Sequence, residues 1–313
     1  MSRNVRRKGR GESSPARNLW SNLRMQRPFR TIALIGKYKS PEIAEPLLKL
    51  GHFLAERKVR VLLDQLTASH IGDCPYPVLP LEELGRQADL AIVIGGDGTM
   101  LNIARTFAPH NVALVGVNQG RLGFLTDISL DTMFDTIGAM LEGEFVTEAR
   151  MLLHAEIFRA GACAFDVLAF NDAVVSKGQK GSMIEFEVRI DGQFVYSQRA
   201  DGLIAATPTG STAYALSAGG PIIHPSLSLI ALVPICPHTL SNRPIVISSD
   251  STVEIVVQGA YDPYAHFDSH SHFDLQQGDR IVLRRYEHGV SLLHPSGHRY
   301  YTMLREKLNW NRE

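Results

Sequence analysis

The distribution of apolar and polar residues divides the chain into two halves with different periods. In the first half, short apolar runs alternate with segments in which apolar residues recur every three or four positions. The runs predict buried parallel strands at residues 31–35, 59–63, 90–94 and 112–117. The recurring segments predict helices at residues 43–54, 99–107 and 130–141. This order favours an α/β domain with a doubly wound, Rossmann-like sheet at residues 30–148.

The second half alternates apolar and polar residues with a period of two, the pattern of half-buried strands. Two alternating segments flank Asp191-Gly192, a pair that favours a tight hairpin turn. Further strands are predicted at residues 151–158, 203–206, 252–257 and 281–285. We therefore expect an all-β, sandwich-like C-terminal domain at residues 149–295.

Composition narrows the choice of partners and compartment. The 313 residues carry 32 basic and 32 acidic side chains, so no overall charge attracts nucleic acid or an anionic membrane. Residues 1–29 are rich in arginine and poor in apolar residues, so we expect a disordered basic tail; a transit peptide or an interaction tail is the alternative. The three cysteines have no CxxC spacing, and no apolar run is long enough to span a bilayer. A cytoplasmic protein is expected.

The strongest local motif is GGDGTML at residues 95–101, between a predicted strand and a predicted helix. A glycine loop at such a junction directs backbone N–H groups and the positive helix end toward one point, which suits a phosphate. The candidate phosphate-loop residues are Gly95, Gly96, Gly98 and Thr99. Asp97 would repel phosphate unless a metal ion matches its charge or it accepts a proton from an attacking hydroxyl. The alternative is that Asp97 caps the following helix.

Three further segments carry groups suited to a nucleotide. Residues 201–222 contain TPTGSTAY, which brings hydroxyls and N–H groups together; an ordinary capped helix is the alternative. In Asn171-Asp172, an amide beside a carboxylate can bind two ribose hydroxyls, although a simple turn has the same signature. Phe124, within GVNQGRLGFLTD at residues 116–127, can pack on a base or in the interdomain core.

Histidines are concentrated in one segment near the C-terminus. They are His266, His270 and His272, with Asp268 and Asp274 nearby. Their spacing gives no closed coordination set, so no metal site is predicted from the sequence.

The chain resembles the bacterial NAD kinase family in five motifs that occur in order, namely GGDGTML, GVNQGRLGFL, Asn171-Asp172, SQRADGLIAATPTGSTAYALSAGGPI and CPHTLSNRPIVI. The likeness runs from about Arg30 to the C-terminus. GGDGT is shared with lipid kinases and phosphofructokinases, whereas TPTGSTAY and PHTLSNRP look specific to NAD kinases.

The resemblance implies transfer of the γ-phosphoryl group of ATP to the adenosine 2′-hydroxyl of NAD, with Mg²⁺ accompanying ATP and Asp97 as the catalytic base. It also implies a homo-oligomer, either dimer or tetramer, and a final helix within residues 296–313 that packs on the first domain. The NAD-binding residues that it implies are Asp97, Gly98, Asn171, Asp172, Arg199, Asp201, Thr212, Ala213, Tyr214, Ser217 and His270, to which the local pattern adds Phe124.

Two positions depart from the family pattern, and two other functions compete with it. Many relatives have glutamate where this chain has Asp172, and His270 stands where the family has glutamine. A lipid kinase would need a membrane-facing apolar or basic surface. A non-catalytic dinucleotide sensor could dispense with Asp97. The sequence leaves open ATP or polyphosphate as donor and NAD or NADH as acceptor.

Overall fold

The computed structural model describes residues 29–38, 40–71, 74–120, 123–178, 182–259 and 262–310. The tail predicted at residues 1–29 lies outside the described residues except for Phe29, which packs into the first domain. In chain order, the α-helices are α1 (Ala44–Glu56), α2 (Gln65–Ala68), α3 (Leu81–Gln87), α4 (Asp97–Phe107), α5 (Met133–Leu141), α6 (Tyr214–Ser217) and α7 (Tyr300–Leu308). Among the described residues, no helix is long and apolar enough to cross a membrane.

The described residues form more strands than the sequence patterns predict. Those of the first half are β1 (Thr31–Gly36), β2 (Arg60–Asp64), β3 (Val78–Leu79), β4 (Leu90–Ile94), β5 (Ala113–Asn118), β6 (Ile128–Ser129) and β7 (Phe145–Arg150). Those of the second half are β8 (Leu153–Arg159), β9 (Ala162–Ala169), β10 (Asp172–Ser176), β11 (Ile184–Ile190), β12 (Gln193–Ala200), β13 (Gly202–Ala206), β14 (Leu229–Ile235), β15 (Ile245–Ser248), β16 (Val253–Gly259), β17 (Tyr264–Phe267), β18 (Ser271–Asp274), β19 (Arg280–Arg285) and β20 (Val290–Pro295). Every strand predicted from an apolar or alternating run is present.

The first sheet has the strand order β3-β2-β1-β4-β5-β20-β7, with β6 beside β5. Strands β1 to β6 run parallel to their neighbours. Helices cover both faces, because Ile92 of β4 lies in the core with α1 and α5, whereas Val93 lies in the core with α3 and α4. The prediction of a doubly wound α/β domain is therefore confirmed.

The structure corrects one predicted boundary. β20 falls inside the range predicted for the second domain, 149–295, yet it pairs in parallel with β5 and antiparallel with β7. Leu292 and Leu293 enter the two cores on opposite faces of the first sheet, so β20 belongs to the first domain. The helix predicted within residues 296–313 is α7, and its Lys307 ammonium lies 5.5 Å from the centroid of the Phe124 ring.

The second half forms a sandwich of antiparallel sheets. Their strand orders are β15-β14-β13-β10-β17-β18 and β12-β11-β16-β19-β8-β9. The inner faces share one apolar core that includes Val175, Phe186 and Leu203. The β11–β12 turn uses left-handed backbone at Asp191 and Gly192, as the Asp-Gly pair predicts. The all-β, sandwich-like prediction is confirmed, and the outer face of the sheet that contains β10 and β13 is covered by α6.

Candidate active site

The glycine loop joins β4 to α4, and it contains both buried and exposed glycines. The Gly95 N–H donates to a carbonyl of β5 at 2.8 Å, and a side chain at Gly95 would crowd Thr99. Gly96 and Gly98 are exposed, and a Cβ at either position would meet open space. The N–H groups of Asp97 and Gly98 precede the first intrahelical hydrogen bond, so they point out of the helix end. Gly96 and Gly98 thus form the open part of the predicted phosphate loop, whereas Gly95 packs inside it.

Asp97 is the first residue of α4, and its side chain bonds to the loop after β5 rather than to its own helix. Its Oδ2 accepts the Phe124 N–H at 2.9 Å, and its Oδ1 accepts the Leu125 N–H at 3.0 Å. The Thr126 hydroxyl lies 3.4 Å from Oδ1. A Cβ on Gly123 would overlap this carboxylate, so the close approach of the loop requires glycine. The alternative role of Asp97 as a helix cap is wrong.

The Asn171-Asp172 pair is held in place by a buried carboxylate, that of Asp268. Its Oδ1 accepts the N–H groups of Asn171 at 2.7 Å and Asp172 at 3.1 Å, and its Oδ2 accepts the Phe170 N–H at 2.8 Å. Arg105 Nη1 donates to the same Oδ2 at 2.5 Å. The side chains are 0 % exposed for Asp268 and 11 % exposed for Arg105. Because Arg105 belongs to α4, this ion pair joins the glycine-loop helix to the Asn171-Asp172 pair.

Burial changes the acid–base behaviour of Asp172. Burial first, and the charge of Asp268 second, raises the pKa of Asp172 to about 7. Near neutral pH the carboxyl group therefore exchanges between an anion that only accepts hydrogen bonds and an acid that can donate one. The anion forms the stronger hydrogen bonds with a hydroxyl.

The TPTGST segment is organised by buried hydroxyls. The Thr207 hydroxyl donates to a backbone carbonyl at 2.6 Å and accepts the Gly210 N–H at 3.1 Å. The Ser211 hydroxyl donates to one carbonyl at 2.6 Å and accepts an N–H at 2.9 Å, so it braces the turn instead of capping α6. A side chain at Gly210 would overlap the backbone carbonyl of Asn171. The turn therefore packs directly on the Asn171-Asp172 pair.

The NAD-binding residues predicted in and just before α6 lie over the outer face of the sheet that contains β10 and β13. They are the half-buried Thr212 and Ala213 and the exposed Tyr214 and Ser217. The Tyr214 ring is stacked near His266, with 6.3 Å between centroids, and His266 is stacked near Tyr264 at 5.9 Å. Burial lowers the pKa of His266. These rings form an aromatic patch suited to a planar base.

Asp201 and Arg199 lie where β12 leads into β13. Asp201 Oδ1 forms an ion pair with Lys177 Nζ at 2.8 Å, whereas Arg199 is exposed on β12 in the other sheet. Burial raises the pKa of Tyr214, with smaller contributions from nearby groups that include Asp172 and Asp201. Both carboxylates therefore lie close enough to Tyr214 to act on its hydroxyl group.

His270 follows a hairpin turn formed by Asp268 and Ser269, both in left-handed backbone conformation. Its side chain is exposed, on the hairpin whose carboxylate holds the Asn171-Asp172 pair. No local signal in the sequence points to Arg105, because its partner Asp268 is 163 positions away. A motif search also misses Lys177, whose contact with Asp201 depends on the pairing of two strands.

Comparisons with known proteins identify the family. The model of the ATP-NAD kinase N-terminal domain matches residues 76–145, and that of the ATP-NAD kinase C-terminal domain matches residues 170–294. The NAD kinase of Nitrosospira multiformis is 61% identical over 287 residues, which cover 92% of this chain and 98% of that protein. The chain belongs to the NAD kinase family. The protein is therefore a kinase, and the glycine loop and the Asn171-Asp172 pair lie in the two matched domains.

Further relatives agree with this assignment to the NAD kinases. The Nitrosomonas europaea NAD kinase is 60% identical, with 90% of this chain and 96% of that protein covered. The structure of yeast NADH kinase complexed with NADH matches with a TM-score of 0.84 and 25% identity, covering 92% of this chain and 90% of that one. The structure of an Archaeoglobus fulgidus NAD kinase in complex with ATP matches with a TM-score of 0.70 and 27% identity, covering 89% and 98%.

Proposed function

We propose that this protein transfers the γ-phosphoryl group of ATP to the adenosine 2′-hydroxyl of NAD, giving NADP and ADP, with Asp97 as the general base. The observation that carries the proposal is the position of Asp97. It begins α4 beside exposed glycines and is oriented by two backbone N–H groups. It shares α4 with Arg105, whose partner Asp268 holds the Asn171-Asp172 pair. A proton acceptor, a loop suited to phosphate and a pair suited to ribose are thus built on connected elements.

NAD binding is assigned to the surface between the Phe124 loop and α6. Asn171 offers a donor and an acceptor to ribose hydroxyls, and Asp172 accepts from them as an anion. Tyr214 contributes to the aromatic patch beside this pair. The yeast relative was crystallised in complex with NADH, which supports a dinucleotide as the ligand of this chain.

Mg²⁺ accompanies ATP in the proposed reaction, and the residues present fit such an ion. Asp97 Oδ2 accepts the Phe124 N–H and keeps a second lone pair that can bind a cation. Mg²⁺ binds one or two carboxylates together with substrate phosphates. Such an ion would neutralise charge on the phosphate oxygens. Asp97 itself accepts the proton of the attacking hydroxyl, and the Gly98 N–H at the helix end faces the developing charge.

The predicted homo-oligomer and cytoplasmic location stay predictions. Light scattering on the eluting peak of a size-exclusion column measures the mass of the assembly. A dimer or tetramer would agree with the prediction, whereas a monomer at the assay concentration would contradict it.

The reaction is tested by NADP formation from Mg²⁺-ATP and NAD, followed with an NADP-specific dehydrogenase, with polyphosphate and NADH in parallel assays. Asp97→Asn should lower kcat by roughly 10²–10⁴-fold, the usual contribution of a general base. The dissociation constant for NAD, measured by calorimetry, should change little.

Asp89→Asn is a matched control for the loss of a carboxylate that accepts backbone N–H groups. Asp89 Oδ2 accepts the N–H groups of Arg30 and Thr31 in the same domain, both at 2.9 Å. This variant should keep kcat. An unchanged kcat in Asp97→Asn would contradict the base assignment, and a parallel loss of NAD binding would assign Asp97 to loop positioning. NAD binding without turnover by the wild type, with any donor, would contradict the proposed reaction.

A further inference from the structure

A second cluster of titratable side chains lies where the loop before β6, the end of β20 and the segment before α7 meet. Asp127 Oδ2 is 2.9 Å from His294 Nδ1 and 2.8 Å from His298 Nδ1. The two imidazole rings stack with 4.0 Å between centroids. One ligand atom from each of these three residues lies within 4.8 Å of the others. The cluster uses none of the residues assigned to NAD or ATP.

The surroundings of His294 resemble those of a metal-binding histidine. Its side chain is 2 % exposed, and its Nε2 lies 3.2 Å from Glu148 Oε2. Glu148 is fixed in turn by Arg150, at 3.1 Å. A histidine that binds a metal through one ring nitrogen usually donates the other N–H to a carboxylate, which fixes the tautomer and the ring orientation. Glu148 is the carboxylate beside Nε2, which makes no hydrogen bond within the described residues, and Nδ1 of His294 faces Asp127.

Polar atoms of the cluster lack a hydrogen-bond partner among the described residues, and two of its residues line a cleft. In the described part of the chain, Asp127 Oδ1 and His298 Nε2 are buried without a hydrogen-bond partner. Asp127 and His298 line a cleft of about 320 Å³, together with residues of α7 that include Thr302 and Glu306. The cleft therefore brings water to the side of the cluster that Asp127 and His298 form.

We propose that Asp127, His294 and His298 bind one divalent transition-metal ion, with Zn²⁺ the best fit. Two imidazoles and a carboxylate, with a fourth position open to water, are a ligand set that Zn²⁺ accepts, whereas Mg²⁺ prefers oxygen ligands alone. Tetrahedral Zn²⁺ separates its ligand atoms by about 3.3 Å, so the present N–O separations need to open by only about 0.5 Å. This ion is distinct from the Mg²⁺ that accompanies ATP.

The proposed ion would cross-link three segments of the chain. Asp127 belongs to the loop that carries Phe124, His294 to β20, and His298 to the connection between β20 and α7. Since the ion binds the folded arrangement and not the separated segments, it should raise the melting temperature.

The test uses the full-length protein without a polyhistidine tag, stripped with EDTA and dialysed against buffered Zn²⁺. Mass spectrometry of the metal content should find about one Zn²⁺ per chain that is lost in Asp127→Asn and in His298→Ala. His154→Ala is the matched control, because His154 pairs with Asp166 at 2.8 Å outside this cluster, and it should retain the metal. Zn²⁺ should raise the melting temperature of the wild type and of the control, and of neither cluster variant.

Substoichiometric metal in the wild type would overturn the proposal and leave the cluster as a hydrogen-bonded Asp-His clamp. Metal retained in both cluster variants would also overturn it. If those variants fail to fold, the Co²⁺-loaded wild type decides. A four-coordinate Co²⁺ site with nitrogen ligands should absorb strongly in the visible range. The weak spectrum of hydrated Co²⁺ would refute the site. These readouts do not use turnover, so they are independent of the proposed reaction.

Discussion

Asp268→Asn changes a single atom of the carboxylate that holds the Asn171-Asp172 pair. Asparagine can keep Oδ1 and its two bonds to the N–H groups of Asn171 and Asp172. It places an NH₂ group where Oδ2 now accepts from Arg105 and Phe170, so three donors would face one another. The substitution also removes the negative charge that balances the Arg105 guanidinium.

The structure sets the size of the expected effect. Removing one partner of a buried ion pair costs about 3–5 kcal/mol, and the low exposure of both side chains places this pair in that class. We expect the free energy of unfolding to fall by about 3 kcal/mol, since Arg105 keeps some contact with water. Displacement of the Asn171-Asp172 pair should raise the KM for NAD by about tenfold or more, which corresponds to about 1.4 kcal/mol.

Urea denaturation measures the free energy of unfolding. The NADP assay measures the KM for NAD, at a temperature at which the variant is folded. Asp279→Asn provides the matched control. Asp279 is also buried and accepts two bonds from Arg159, at 3.0 and 2.7 Å, but it lies away from the candidate site. It should lose stability, though less because Arg159 is 33 % exposed, while its KM for NAD stays unchanged.

The pH dependence of NAD affinity tests whether Asp268 positions the Asn171-Asp172 pair or only stabilises the fold. The charge of Asp268 is the second cause of the raised pKa of Asp172, so Asp268→Asn should lower that pKa from about 7. The pH profile of NAD binding would then shift toward acid. A stability loss below about 1 kcal/mol, the value of an exposed ion pair, would refute this reasoning. An unchanged KM with an unshifted profile would refute the positioning role.

Three further predictions concern the same site. In the wild type, NAD affinity should rise with pH through about 7 as Asp172 ionises, and calorimetry on Asp172→Asn should show no such rise. The linked effect on stability has the opposite sign, because a folded pKa above the unfolded value of about 3.9 makes stability fall as pH rises from about 4 to 7. Gly98→Ala should raise stability by up to about 1 kcal/mol, since its Cβ meets open space, yet raise the KM for ATP by obstructing the helix end; an unchanged KM would contradict the phosphate assignment. Gly210→Ala should raise the KM for NAD, because its Cβ would displace Asn171; activity equal to wild type would show that the turn can shift harmlessly.

The sequence predicts those parts of the fold that depend on local patterns. The apolar runs predict β1, β2, β4 and β5 because each of these strands is buried on both faces. The glycine loop is recognisable because it lies between such a strand and a helix. The partner of β20 is not predictable in this way, since its apolar residues would suit either sheet. Its place follows from long-range pairing with β5 and β7.

In the candidate site too, local motifs are predictable from the sequence and long-range contacts are not. Asp97 and the Asn171-Asp172 pair belong to recognisable motifs, but the groups that orient them do not. The Phe124 and Leu125 N–H groups that hold Asp97 are backbone atoms, which leave no side-chain signal in a sequence. Arg105 is one arginine among many, and its role appears only when α4 is placed against the β17–β18 hairpin.

The length of α4 sets a fixed spacing between the two halves of the molecule. Asp97 and Arg105 stand on one rigid helix, about 12 Å apart along its axis. A hinge motion between the domains must either break the Arg105–Asp268 ion pair or carry Asp97 along with it. While this ion pair holds, Asp97 and the Asn171-Asp172 pair therefore move as one body. The loop that carries Phe124 belongs to the same body, because Asp97 accepts its Phe124 and Leu125 N–H groups.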